Sequence, residues 1–126
     1  AAMLGRITLD PARQLIGAQC SGTLLLAKLG LIGDLPACTD LTTKPWVVEA
    51  GVEVLDAPFV AHGEVATAGG CLASQYLAAW IIARLAGLED AEAAVHYVAP
   101  VGEKAAYVER ALAVVTPFLP SRAAAA

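Results

Sequence analysis

The pentapeptide Ala18-Gln19-Cys20-Ser21-Gly22 constrains this chain more than any other segment. It lies between a short apolar run, Leu15-Ile16-Gly17-Ala18, and a leucine-rich stretch from Thr23 to Leu29. A strand, then a thiol between small residues, then a helix is the sequence form of a nucleophile elbow. A tight strand-to-helix turn forces its central residue into a strained backbone, so its neighbours must be small. The turn lifts the side chain out at the carboxyl end of a sheet. It also sets the sulfur near a helix start, where free N–H groups favour a thiolate. The alternative is a buried cysteine ahead of an ordinary helix, because free cysteine is among the most buried residue types.

The flanking segments read as alternating strands and helices. Met3 to Gln14 reads as a short helix disturbed by Pro11, and Leu15 to Gln19 as a buried strand. Gly22 to Leu29 reads as a helix stopped by Gly30. Leu35 to Thr39 and Val52 to Leu55 read as short strands, with a loop and a turn of helix around Trp46 between them. Phe59-Val60-Ala61 and Glu64 to Thr67 read as a hairpin turning at His62-Gly63. Gly69-Gly70 then opens an almost wholly apolar helix from Cys71 to Leu85, which must be buried on several sides. Two more helices, Glu89 to Tyr97 and Glu103 to Val115, complete the chain, and Ala123–Ala126 reads as a disordered tail. Such alternation indicates an α/β sheet with helices on its faces, in which ligands bind beyond the carboxyl ends of the strands. Cys20 stands at one such end, and Gly70 and Cys71 at another.

Composition excludes several classes. Hydrophobic residues make up 58% and charged residues 16%, which implies a large core or an interface. A homodimer is the expectation, because the Tyr76–Leu85 helix offers more apolar surface than one small core needs. The longest apolar run, Tyr76 to Ala83, is far short of the roughly 20 residues of a membrane span. Arg6 and Asp10 interrupt the start of the chain, so no signal peptide is expected. With 8 basic against 12 acidic residues there is no basic stripe for nucleic acid. Cys20, Cys38 and Cys71 have no metal-ligand spacing and, being odd in number, argue against a disulfide framework. A reducing, cytoplasmic setting is expected, with no metal and no cofactor.

In order along the chain, several segments resemble the ThiJ/PfpI superfamily, the class I glutamine amidotransferase-like domains that include PfpI-type proteases and isonitrile hydratases. They are the elbow, Leu24-Leu25-Leu26-Ala27, Leu29-Gly30-Leu31-Ile32-Gly33-Asp34, the run Gly63-Glu64-Val65-Ala66-Thr67-Ala68-Gly69-Gly70 and the helix Tyr76 to Leu85. The resemblance implies a flavodoxin-like, doubly wound, mostly parallel sheet with helices on both faces. Residues 1–122 would form one domain covering the C-terminal part of that fold. It implies Cys20 as nucleophile and the Ser21 backbone N–H as part of an oxyanion hole. Its usual N-terminal half, with an acidic partner for the cysteine, is expected outside this sequence.

One segment departs from the family pattern. Where many members carry a histidine, this chain reads Ala37-Cys38-Thr39-Asp40, with Asp40 in the histidine's place. Three roles are open to it: a general base for water, a neutral acid if its pKa is raised, or a cap facing solvent. Without the histidine, the resemblance points to hydration or hydrolysis of a small electrophilic substrate, as in an isonitrile hydratase. The other reading is a non-catalytic redox-sensing or ligand-binding domain. Gly70 and Trp46 are expected near the pocket, with plain loop packing as the alternative for Trp46. Cys71 is the rival thiol. Cys38 reads as core, and His62 and His96 as structural. Ser21 reads as a helix cap through its side chain.

Overall fold

The computed structural model describes residues 8–120. The fold is α/β. Strand β1 (Ile16–Gln19) enters helix α1 (Gly22–Lys28), and helix α2 (Lys44–Glu49) follows. Strands β2 (Phe59–His62) and β3 (Val65–Ala68) form a hairpin, and a single 3-10 turn (Cys71–Ala73) leads into α3 (Ser74–Ala86). Helices α4 (Leu88–Val98) and α5 (Lys104–Val115) close the sequence of elements, before a last 3-10 turn (Thr116–Phe118).

The sheet is mixed, in the order β1-β3-β2. β1 pairs parallel with β3, Gln19 opposite Ala68, while β2 pairs antiparallel with β3, Phe59 opposite Ala68. The alternating side chains build two cores. Phe59, Ala61, Ala66 and Ala68 point to one face, where they meet Tyr76, Ala79 and Trp80 of α3 together with α4 and α5. Ile16 and Ala18 point to the other face and pack with Leu26, Ile32, Ala37, Val47 and Val52. Helices therefore cover both faces. Gly17 is small because α3 presses on it: a β-carbon there would lie 2.8 Å from Leu77 Cδ1.

Local chemistry sets the element ends. Gly30, at φ 75, follows α1. Its N–H donates to the Ala27 carbonyl and the Leu31 N–H to the Leu26 carbonyl, the paired bonds of a Schellman end. Gly63 turns the hairpin at φ 61. Arg84 braces that turn from α3, donating to the Gly63 carbonyl at 2.8 Å and to the Glu64 carboxylate while lying over the Trp80 ring. The Lys104 ammonium donates to the carbonyls of His96, Tyr97 and Ala99 and so closes the end of α4.

Three expectations change. The helix over residues 3–14 lies partly outside the described residues, and residues 8–14 hold one turn instead. There Asp10 accepts the Ala12 N–H on its carboxylate and the Arg13 and Gln14 N–H groups on its carbonyl, so the turn closes on itself. The two strands over Leu35–Thr39 and Val52–Leu55 shrink to one parallel bridge, Ala37 to Val54. The turn of helix at Trp46 is the helix α2. The apolar helix over Cys71–Leu85 is largely absorbed within the chain, with Trp80 fully buried and only Leu72 and Leu85 strongly exposed among its large apolar residues. The Ala123–Ala126 tail lies outside the described residues. No described helix is long and apolar enough to cross a membrane.

Candidate active site

Cys20 has φ 53, and it is the one non-glycine residue with positive φ among the described residues. An L-residue in that region costs about 1–2 kcal/mol, so the surroundings must hold it there. They do so through the backbone. The Cys20 N–H donates to the Ala68 carbonyl at 2.8 Å, extending the β1–β3 ladder by one step. The Cys20 carbonyl accepts from the Thr39 hydroxyl at 2.7 Å and from the Thr23 N–H at 3.1 Å.

Two further threonines lock the neighbouring segment. The Thr23 hydroxyl donates to the Cys38 carbonyl at 2.7 Å, and the Cys38 N–H donates to the Thr67 hydroxyl at 2.8 Å. All three threonines are buried. The Thr23 and Thr67 hydroxyls satisfy the Cys38 carbonyl and N–H, which no strand or helix pairs and which would be costly as orphans, while Thr39 adds a second bond to the Cys20 carbonyl. Gly69 completes the fit: a β-carbon on it would lie 2.5 Å from the Thr39 carbonyl oxygen. The chain at Thr39 thus crosses directly over the end of β3.

Cys20 as a whole is half-buried, and its sulfur faces the Gln19 side chain. The Gln19 amide nitrogen lies 3.9 Å from it and donates to the Cys71 carbonyl at 2.9 Å, with the Gly70 carbonyl at 3.5 Å. Gln19 therefore bridges the elbow to the turn after β3. The Ser21 N–H, one residue after Cys20, finds no acceptor among the described residues. Ser21 itself is exposed at the N-cap of α1 and makes no side-chain cap bond. The expected hydroxyl cap fails because Ser21 has helical backbone angles, φ −65 and ψ −20, whereas a capping side chain needs an extended one.

Asp40 accepts the Thr43 N–H on Oδ2 at 3.0 Å, and its carbonyl accepts the Lys44 N–H. It therefore starts the turn that enters α2. Thr43, first through its side chain and then through its N–H, holds the Asp40 carboxyl below its ordinary 3.8, against a smaller opposing effect of burial. That direction is opposite to what a neutral acid requires. No hydrogen bond joins Asp40 to the Cys20 sulfur among the described residues; the two are linked through Thr39, whose hydroxyl also lies 3.4 Å from Asp40 Oδ1.

Cys20, Ser21 and Gly70 thus come together, and Asp40 stands one residue beyond Thr39. Trp46 is 55% exposed on α2, and its backbone N–H donates to the Thr43 carbonyl. Gly70, at φ 97, borders a groove of about 310 Å³ with Leu72, Tyr76, Tyr107 and Arg110. Cys38 is fully buried, and burial pushes its thiol up to about 11. His62 ends β2 with its Nε2 buried and without a hydrogen-bond partner among the described residues, and His96 is exposed on α4. Among the described residues no three His, Cys, Asp or Glu side chains could hold a metal. Sequence reasoning missed Gln19, Thr39 and Gly69. A polar residue at the last position of a buried strand was the available signal for Gln19.

No family model matches the sequence, and no curated protein matches it. Solved structures do match. A ThiJ/PfpI family protein from Pseudomonas syringae superposes with TM-score 0.52 at 21% identity, over 96% of this chain and 43% of that one. Schizosaccharomyces pombe DJ-1 matches with TM-score 0.46 at 20% identity, over 80% of this chain and 45% of that one. The chain therefore spans less than half the length of these two proteins. The fold of these 113 described positions is that of the C-terminal part of the Pseudomonas protein.

Proposed function

We propose that the chain is part of a ThiJ/PfpI-type enzyme in which Cys20 attacks an electrophilic carbon of a small molecule, leading to hydration or hydrolysis. The carrying observation is the backbone of Cys20, held at φ 53 at the turn from β1 into α1. A strained residue fastened by three backbone-directed hydrogen bonds needs a reason, and a presented nucleophile supplies one. In this reading the sulfur bonds to the substrate carbon, and the free Ser21 N–H meets the negative charge that develops on the substrate. A water molecule then attacks the same carbon, and the carbon–sulfur bond breaks to restore the thiol. Asp40, held ionised, suits the task of drawing a proton from that water. The first adduct also takes up a proton from a general acid.

Addition of water to an isonitrile, giving a formamide, is the reaction we favour, because it needs neither an acyl leaving group nor a histidine. The test is incubation with an alkyl isonitrile and, separately, with an activated ester, with products followed by mass spectrometry. Cys20→Ala should abolish turnover, and Asp40→Asn should reduce it and change its pH profile. Ester hydrolysis without isonitrile hydration would replace the favoured reaction by the hydrolytic one. Turnover that persists in Cys20→Ala, or no covalent adduct on Cys20 with any electrophile, would overturn the reading.

A further inference from the structure

We propose that Cys71 is the resolving thiol of Cys20, so that oxidation of Cys20 ends in a Cys20–Cys71 disulfide. The inference rests on Cys20 being a reactive thiol, as read above. β1 and β3 are adjacent and parallel, with Gln19 opposite Ala68. Cys20 follows β1 directly and Cys71 follows β3 after two glycines, so both stand at one end of the sheet. The Gln19 amide nitrogen touches the Cys20 sulfur and the Cys71 carbonyl alike. A single side chain therefore spans the gap between the two residues.

The accessibility of the three thiols fits this assignment. All three are free; Cys20 is half-buried, Cys71 exposed and Cys38 buried. Cys38 lies close in the fold, yet its burial keeps it a protonated thiol, which is a poor nucleophile. A disulfide requires α-carbons within about 7 Å and a particular dihedral angle. Gly69 and Gly70, with the single 3-10 turn after them, form the segment that would adjust to meet it.

The chemistry balances with a peroxide as oxidant. The Cys20 thiolate attacks one oxygen of hydrogen peroxide, the O–O bond breaks, and Cys20 sulfenic acid and hydroxide form, the hydroxide taking up the proton that the Cys20 thiol released to give water. The Cys71 sulfur then attacks the Cys20 sulfur, the S–O bond breaks, and a second water leaves with the Cys71 proton. Two electrons pass in all from the two thiols to one peroxide. The disulfide would halt Cys20 before the irreversible sulfinic and sulfonic stages.

The experiment treats the reduced full chain with hydrogen peroxide, blocks residual thiols, and maps the cysteines by mass spectrometry before and after dithiothreitol. The expected product has lost two hydrogen atoms, carries one Cys20–Cys71 link within the chain, and returns fully to thiols on reduction. In Cys71→Ser, an exposed substitution, Cys20 should instead gain two or three oxygen atoms, and most of its recovery by dithiothreitol should be lost. Wild-type Cys20 gaining oxygen while Cys71 stays free would overturn the proposal and leave Cys20 a reactive thiol. A link from Cys20 to Cys38, or one between chains, would also overturn it. Cys20 inert to both peroxide and iodoacetamide would overturn the proposal and the nucleophile reading together.

Discussion

The Thr39 hydroxyl donates to the Cys20 carbonyl oxygen across 2.7 Å, tying the strained elbow to the segment that crosses β3. Thr39→Val keeps the shape and removes the donor. The Cys20 carbonyl would still accept from the Thr23 N–H, so it would not be orphaned. The expected loss is therefore about 1 kcal/mol, the net worth of one hydrogen bond, and Thr39→Ser should restore most of it. Urea unfolding measures this as a lower midpoint at unchanged slope. An unmoved midpoint in Thr39→Val would show that the bond adds nothing to stability.

Gly69 and Gly63 are glycines for different reasons, and alanine should separate them. At Gly69 the added carbon would meet the Thr39 carbonyl oxygen at 2.5 Å and the Thr39 nitrogen at 3.0 Å. Both are backbone atoms, so relief requires moving the whole crossing segment, at a cost of about 2–3 kcal/mol. Gly63 has φ 61 and open space around it, so alanine there pays only backbone strain, about 1 kcal/mol. Gly63→Asn should cost less still, because asparagine tolerates that conformation. Only Gly69→Ala should also open Cys38 to alkylation in the folded protein. Equal losses at both sites would contradict the close crossing.

Cys20→Gly should be more stable than Cys20→Ala by about 1 kcal/mol, because glycine alone accepts φ 53 without strain. Its larger unfolded-state entropy offsets part of the relief. Both variants lose the sulfur, so activity does not bias the comparison. Thermal or urea unfolding of the pair decides it, and a more stable alanine variant would mean that the elbow is unstrained.

The legible parts of the sequence were those written in local chemistry. Small residues around Cys20 announced the elbow, Gly30 the end of α1, and Gly63 the hairpin turn. The unread parts depend on partners far along the chain. The Thr23, Thr39 and Thr67 hydroxyls bond to backbone atoms 15, 19 and 29 residues away, and nothing local to a threonine reveals such a partner. The strands expected around Ala37 and Val54 are apolar enough to qualify. Pro36 withholds a donor beside the first, and Pro58 follows soon after the second, so a single bridge is all that forms. At Asp40 the residue type was visible, but its use was set by Thr43 and Lys44, whose N–H groups close on it.

Cys38 and Asp40 should shape opposite limbs of the pH–stability curve. Burial raises the Cys38 thiol from its ordinary 9.0 to about 11. Between those values the unfolded chain releases a proton that the folded chain keeps. The Cys38 contribution is thus complete below pH 9.0 and is lost as pH rises through about 11. Asp40 is lowered from 3.8 by its bonds to Thr43, so its contribution is present above that value and is lost as pH falls through the folded one. Unfolding midpoints of wild type, Cys38→Ala and Asp40→Asn across the pH range test both signs. Relative to each variant, the wild type should lose its alkaline advantage only against Cys38→Ala, and its acid advantage only against Asp40→Asn. A wild-type-to-Cys38→Ala difference that stays constant as pH rises past 9.0 would show that the thiol titrates alike in the folded and unfolded chain.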